Sequence, residues 1–153
     1  MGIEIERKFL VTGDDWRILG KGVRYCQGYL STQPTVRVRL AGEQGYLTLK
    51  GPSDGLSRLE FEYAISADDA QAMLNTLCQR PLIDKIRTKI HIDGLIWEVD
   101  EFSAENSGLI LAEVELASPK QVIALPAWVG EEVSGDPRYF NAYLVQHPFS
   151  TWT

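Results

Sequence analysis

Met1-Gly2-Ile3-Glu4-Ile5-Glu6-Arg7-Lys8 opens the chain with an alternation that decides its fold. A β-strand repeats every two residues, so Glu4, Glu6 and Lys8 share one face while Ile3, Ile5 and Phe9 line the other. The charged face of one strand ordinarily meets water. Here the same polar comb returns in almost every later strand-like stretch: Arg37/Arg39, Glu60/Glu62, Lys85/Arg87/Lys89, Glu98/Asp100 and Glu113/Glu115. Apolar residues fill the alternate places, as with Val36, Val38 and Leu40 or Ala112, Val114 and Leu116. Such strands have an apolar face that must be covered. Their charged faces, of both signs, are then left to line a lumen.

Strand patterns run over Ile3–Val11, Val23–Leu30, Val36–Leu40, Gly45–Lys50, Ser57–Ile65, Ile83–Ile92, Leu95–Glu101 and Leu109–Leu116. Gly42-Glu43-Gln44-Gly45 and Asp93-Gly94 read as hairpin turns, the latter of type I′. Gly51-Pro52-Ser53-Asp54-Gly55 reads as a longer loop. One convincing helix starts at Ser66, which can cap it; Asp68 and Asp69 suit its first turn, and apolar spacing continues to about Gln79 before Pro81. A short helix is expected near Asp14–Leu19, and the tail from Pro126 reads as an aromatic-rich cap carrying Trp128 and Trp152. Eight strands with short links imply antiparallel order. Closing the sheet removes its edges, and eight strands suffice to enclose one small ligand. The expected architecture is therefore mainly β, a closed eight-stranded antiparallel barrel with a few flanking helices, formed by residues 1–153 as a single domain.

The formal charge of -6 argues against a nonspecific nucleic-acid or membrane surface. No stretch has the length of a membrane span, and no signal peptide is expected. Cys26 and Cys78 lack metal or disulfide-framework spacing and read as apolar fillers in a reducing, cytoplasmic setting. With only His91 and His147, a histidine-based metal centre is not expected.

The combs carry the chemistry. Carboxylate oxygens are the donors that Mg²⁺ and Mn²⁺ prefer, and two carboxylates at alternate strand positions point the same way, about 6.6 Å apart at Cα. Taken singly, each acidic pair could be a solvated face with cross-strand ion pairs worth roughly 0.2–1 kcal/mol. The basic set comprises Lys8, Arg37, Arg39, Lys50, Arg58, Lys85, Arg87 and Lys89. Arginine matches phosphate oxygens with a fork and lysine with a point charge. Five or more such groups exceed what a monocarboxylate needs. They suit a di- or triphosphate.

The ordered set of motifs resembles the CYTH domain, or triphosphate tunnel metalloenzyme superfamily, and within it the small bacterial inorganic tripolyphosphatase-like members. The ExExK signature stands as Glu4-Ile5-Glu6-Arg7-Lys8, followed by Arg37-Val38-Arg39, Lys50, Glu60-Phe61-Glu62, Lys85-Ile86-Arg87, Glu98-Val99-Asp100 and Glu113-Val114-Glu115. Gln27-Gly28-Tyr29-Leu30 and Gly135-Asp136-Pro137-Arg138-Tyr139 look like the small bacterial members. The resemblance implies a tunnel that binds a linear triphosphate with Mg²⁺ or Mn²⁺. It implies Glu4, Glu6 and one of Glu113/Glu115 as ligands of a cation that orients the phosphates. Glu98, Asp100 and the other member of that pair would serve a second cation or the water near it. Lys8, Arg37, Arg39, Lys50, Lys85 and Arg87 would contact phosphates, with Glu60 and Glu62 holding basic groups in place.

The expected reaction is hydrolysis of inorganic tripolyphosphate, or another small triphosphate, to release phosphate. Glu98, Asp100, Lys85 and Tyr29 are the candidates nearest the chemistry: Lys85 as an acid near the leaving group, and Tyr29 as a lid or substrate contact, with packing at a strand end as its alternative. Competing readings are a thiamine triphosphatase or nucleoside triphosphatase, an adenylate cyclase, and a noncatalytic polyphosphate-binding module. Neither a nucleic acid nor a membrane is an expected partner, and a homodimer is left open.

Overall fold

The computed structural model describes residues 2–152. Its strands are β1 (Gly2–Val11), β2 (Gly22–Thr32), β3 (Thr35–Ala41), β4 (Gln44–Lys50), β5 (Ser57–Ile65), β6 (Ile83–Ile92), β7 (Leu95–Phe102), β8 (Ile110–Glu115) and β9 (Val129–Glu132). The first eight are those expected from the alternation. Their order is β5-β4-β3-β2-β6-β7-β8-β1, and β1 pairs again with β5, so the sheet closes into an eight-stranded antiparallel barrel.

Strand β9 is an addition that the sequence pattern did not distinguish from the tail. It is short and lies against the C-terminal half of β1, while the N-terminal half of the same edge pairs with β5. Both turn expectations hold in outline. Asp93 and Gly94 have φ of 53° and 76°, the two positive values a type I′ turn demands. Gly42, at φ 60°, begins the β3–β4 hairpin.

Three apolar clusters hold the barrel in shape. Phe9, Trp97, Val99, Ala112 and Val114 form the outer face of the β1-β8-β7 wall, covered by Trp16 and Trp128. Helix α1 (Ala67–Thr76) packs Ala70 and Leu74 on Val38, Cys78 and the partly buried Cys26 outside β2–β4. Ser66 caps it by accepting the Asp69 amide hydrogen bond at 3.0 Å. The third cluster includes Tyr29, Ile83, Phe102 and Leu111 together with Leu144 and Val145 of helix α2 (Asn141–Gln146). The tail thus divides. Trp128 covers a side wall, 5.7 Å from Trp97, whereas Tyr139, Phe149 and Trp152 join the cluster with α2.

Candidate active site

With apolar side chains outside, the polar combs face each other across the strands. Successive register pairs are Glu6 with Glu115, Lys8 with Glu113, Glu98 with Glu113, Lys89 with Glu98, and Arg87 with Asp100. On the other side Gln27 pairs with Arg39, Tyr29 with Arg37, Arg37 with Thr48, Thr48 with Glu62, and Lys50 with Glu60. The lumen is a cavity of about 470 Å³. Its wall includes Glu4, Glu6, Lys8, Tyr29, Arg37, Arg39, Lys50, Arg87, Glu98, Glu113 and Glu115. Lys85 and Asp100 do not line it. They lie in the adjoining layer of the same wall, essentially without solvent contact.

Asp100 is the anchor of that layer. One oxygen accepts from Arg87 Nε at 2.7 Å, and the other accepts from an Arg87 terminal nitrogen at 2.8 Å and lies 2.7 Å from Lys85 Nζ. Burial pushes its carboxyl upward, but Arg87 and Lys85 prevail and hold it at about 2. Both oxygens are engaged by cations of the protein, a different setting from the second-cation site expected for Asp100. Its partner in that expectation, Glu98, lines the lumen and accepts from Arg87 at 3.1 Å.

Lys85 Nζ also donates to Asn141 Oδ1 at 3.1 Å. Burial brings its ammonium down to about 7, opposed by Asp100 and reinforced by Arg87 and Arg39. Lys8 Nζ donates to the Tyr139 carbonyl at 3.0 Å, lies 3.4 Å from Glu113, and sits 5.5 Å from the centre of the Phe140 ring. The residues entering α2 therefore hold two of the basic groups. Sequence patterning offered only the aromatic character of this segment.

Two basic groups of the wall, Arg39 and Arg37, are under-matched. Arg39 donates Nε to Gln27 Oε1 at 2.8 Å and has no carboxylate within 4 Å among the described residues. It is half-buried, and the cavity is what it lines. Burial, with Arg37 and Arg87 nearby, lowers it to about 9, so it remains a cation at neutral pH. Arg37 Nε is buried with no hydrogen-bond partner, the one such side-chain atom among the described residues. A buried N–H donor without an acceptor is costly unless a ligand supplies one. Both observations fit an oxyanion.

The carboxylates are crowded on the opposite side. Burial, Glu113 and Glu4 together raise Glu6 well above the ordinary range despite Lys8. Glu115 is raised by burial and by Glu4 and Glu98. Glu4 and Glu113 are spared by lysines: Lys50 lies 2.9 Å from Glu4, and burial of Glu113 is overcome by Lys8, Arg87 and Lys85. This is an all-oxygen donor set with more negative charge than its neighbours balance, and it suits a hard divalent cation. Among the described residues no three carboxylates close into a formed cation cage, because lysines occupy Glu4 and Glu113.

The holding role expected of Glu60 and Glu62 has direct counterparts, since Glu60 lies 3.2 Å from Lys50 and Glu62 lies 3.6 Å from Arg37. Arg58 donates to the Gly51 carbonyl and to Thr35 at the loop end of the cavity. Tyr29 is 3% exposed and packs with Ile83 and Phe102, while its hydroxyl accepts from Gln27 Nε2 at 3.2 Å. It is thus both a core residue and part of the cavity wall. Gln27, which the sequence marks only as part of a family-like segment, and Asn141, which it does not mark at all, join the site although neither belongs to a charge comb.

Residues 2–140 match the CYTH domain. The chain is 49% identical over 154 residues to an inorganic triphosphatase of Acetivibrio thermocellus, covering 99% of each chain. It is 40% identical over 149 residues to an inorganic triphosphatase of Nitrosomonas europaea, covering 92% of this chain and 95% of that one. Among solved structures, the crystal structure of an inorganic triphosphatase superposes with a TM-score of 0.65 at 35% identity, covering 92% of this chain and 96% of that one.

Proposed function

The chain belongs to the CYTH domain family, and from that premise we propose that it hydrolyses inorganic tripolyphosphate to pyrophosphate and phosphate with the help of Mg²⁺ or Mn²⁺. The observation that carries the reading is the pair Arg37 and Arg39: a buried Nε without an acceptor beside a guanidinium without a carboxylate. Residues 1–153 act as one CYTH-like unit on this reading, and its setting is the cytoplasm. No helix among the described residues is long and apolar enough to cross a membrane.

Arg37, Arg39 and Arg87 bind the phosphate chain, with Lys8 and Lys50 as point charges beside it. The Arg39 fork matches a pair of phosphate oxygens, Arg87 with its fork on Asp100 adds charge beside it, and the surrounding strands keep the arginines fixed as charge shifts toward the leaving group. Glu4, Glu6, Glu113 and Glu115 are the residues that hold a divalent cation, with Glu98 at the edge of the same carboxylate group. When bound, the cation supplies neutralisation of phosphate-oxygen charge and orientation of the chain. Asp100 acts through Arg87 and Lys85, which it fixes in place. Lys85 lies behind the lumen wall without solvent contact, so its ammonium, paired with Asp100 at 2.7 Å and donating to Asn141, braces Arg87 from behind instead of touching the leaving oxygen. Tyr29 and Gln27 brace the adjacent wall.

The test is phosphate release from tripolyphosphate, pyrophosphate, thiamine triphosphate and ATP, each with Mg²⁺ and Mn²⁺ at equal free concentration. Tripolyphosphate should show the highest kcat/KM, because the basic groups reach successive phosphates. Equal kcat/KM for ATP and tripolyphosphate would reject this selectivity. Conversion of ATP to cyclic AMP would favour the cyclase reading.

A further inference from the structure

Tyr25 lies on the lumen side of β2, 8% exposed, and forms part of the cavity wall. The guanidinium carbons of Arg39 and Arg87 stand 5.0 Å and 4.8 Å from the centre of its ring. In other respects the two arginines differ. Arg87 has its fork seated on Asp100 and reaches Glu98, so it is fixed by charge. Arg39 has one hydrogen bond, to the neutral Gln27, and two like charges nearby in Arg37 and Arg87. A long side chain in that position would move away from its neighbours unless something attracted it back. The negative face of an aromatic ring attracts a guanidinium, most strongly where water is scarce. The same ring is within reach of both cations.

We propose that Tyr25 is a positioning residue for substrate binding, holding Arg39 beside the fixed Arg87 so that the Arg39 fork is ready to receive oxygens of the phosphate chain. The inference rests on the tripolyphosphate reading and adds a residue that neither a charge comb nor the CYTH signature includes. The ring supplies the effect, so phenylalanine can replace tyrosine and an aliphatic residue cannot.

Two measurements on wild type, Tyr25→Leu and Tyr25→Phe test it: calorimetric binding of tripolyphosphate to chelator-treated protein, and steady-state hydrolysis with Mg²⁺. Tyr25→Leu should weaken binding and raise KM, each about tenfold, while kcat stays within about twofold. Tyr25→Phe should retain wild-type values. A purely structural role would instead lower the active fraction, and with it kcat, at unchanged KM. Should Tyr25→Leu fail to fold, the Arg39 δ-protons of the wild type decide by NMR, since a neighbouring ring shifts them upfield. Wild-type Kd and KM in Tyr25→Leu, equal weakening in Tyr25→Phe, or unshifted Arg39 protons would each overturn the proposal. A wild-type chain that neither binds nor cleaves tripolyphosphate would overturn the parent reading, while the NMR signature would still report on Tyr25.

Discussion

Arg39 and Arg87 lie against the same ring, yet replacing each with methionine should cost the fold very different amounts. Arg87 is 6% exposed and its fork occupies both oxygens of Asp100, itself 1% exposed. Removing one partner of a buried ion pair costs about 3–5 kcal/mol, because the other charge stays behind. Lys85 remains 2.7 Å from Asp100, so the lower end, about 3 kcal/mol, is expected for Arg87→Met. Arg39 has no carboxylate to abandon. Losing it removes repulsion from Arg37 and Arg87, which offsets the lost contacts with Gln27 Oε1 and the Tyr25 ring. Arg39→Met should therefore change stability by no more than about 1 kcal/mol in either direction. Its cost should fall on the substrate: a charge-assisted contact of about 1.5–3 kcal/mol corresponds to a loss of about 10–150-fold in kcat/KM. Urea denaturation of the metal-free proteins and tripolyphosphate kinetics read the two quantities separately. If Arg39→Met destabilised the fold as much as Arg87→Met, Arg39 would be a structural cation and the anion-site reasoning would fail.

Acid stability offers a second check: Asp100 is held at about 2 against an ordinary 3.8, so its stabilisation is complete above about 4 and is lost as pH falls through about 2. Asp100→Asn should flatten that limb, removing on the order of 2 kcal/mol, as measured by denaturation between pH 2 and 6. Glu6→Gln and Glu115→Gln should each weaken Mn²⁺ binding and cut turnover; wild-type affinity and turnover in both would remove these residues from the cation site. Metal-free Glu6→Gln should also melt higher than wild type, since burial, Glu113 and Glu4 all disfavour the Glu6 charge. Tyr29→Phe keeps the core ring but leaves the buried Gln27 Nε2 without its acceptor, so it should destabilise by about 1–3 kcal/mol in thermal melts; a large fall in kcat at temperatures where the variant is folded would assign the hydroxyl a part in the reaction.

The barrel was legible because period-two alternation speaks directly about faces. Once Val36, Val38 and Leu40 lie outside, Arg37 and Arg39 must lie inside, and the same logic ran through most of the other strands, though β2 carries no charged comb. Strand β9 escaped because four residues with two adjacent glutamates carry no alternation of their own. The site was legible as a set of charges but not as a set of pairings. Alternation places Lys85, Arg87 and Asp100 on the inner face, yet it does not say that Asp100 will spend both oxygens on two cations. Nor does it foresee Gln27 as the acceptor for Arg39, or Asn141 as an acceptor for Lys85. Those contacts depend on register between strands distant in sequence and on how α2 meets the barrel.

The central claim is that the lumen receives a phosphate chain between the arginines and a cation held by the acidic comb. A crystal structure with Mn²⁺ and a non-hydrolysable tripolyphosphate analogue, with anomalous data collected for manganese, tests it most directly. The account predicts a manganese peak bound by carboxylates of Glu4, Glu6, Glu113 or Glu115, with phosphate oxygens accepting from Arg37 Nε and the Arg39 fork. Phosphate bound outside the barrel, or a lumen in which Arg37 Nε still lacks an acceptor when the analogue is bound, would contradict it.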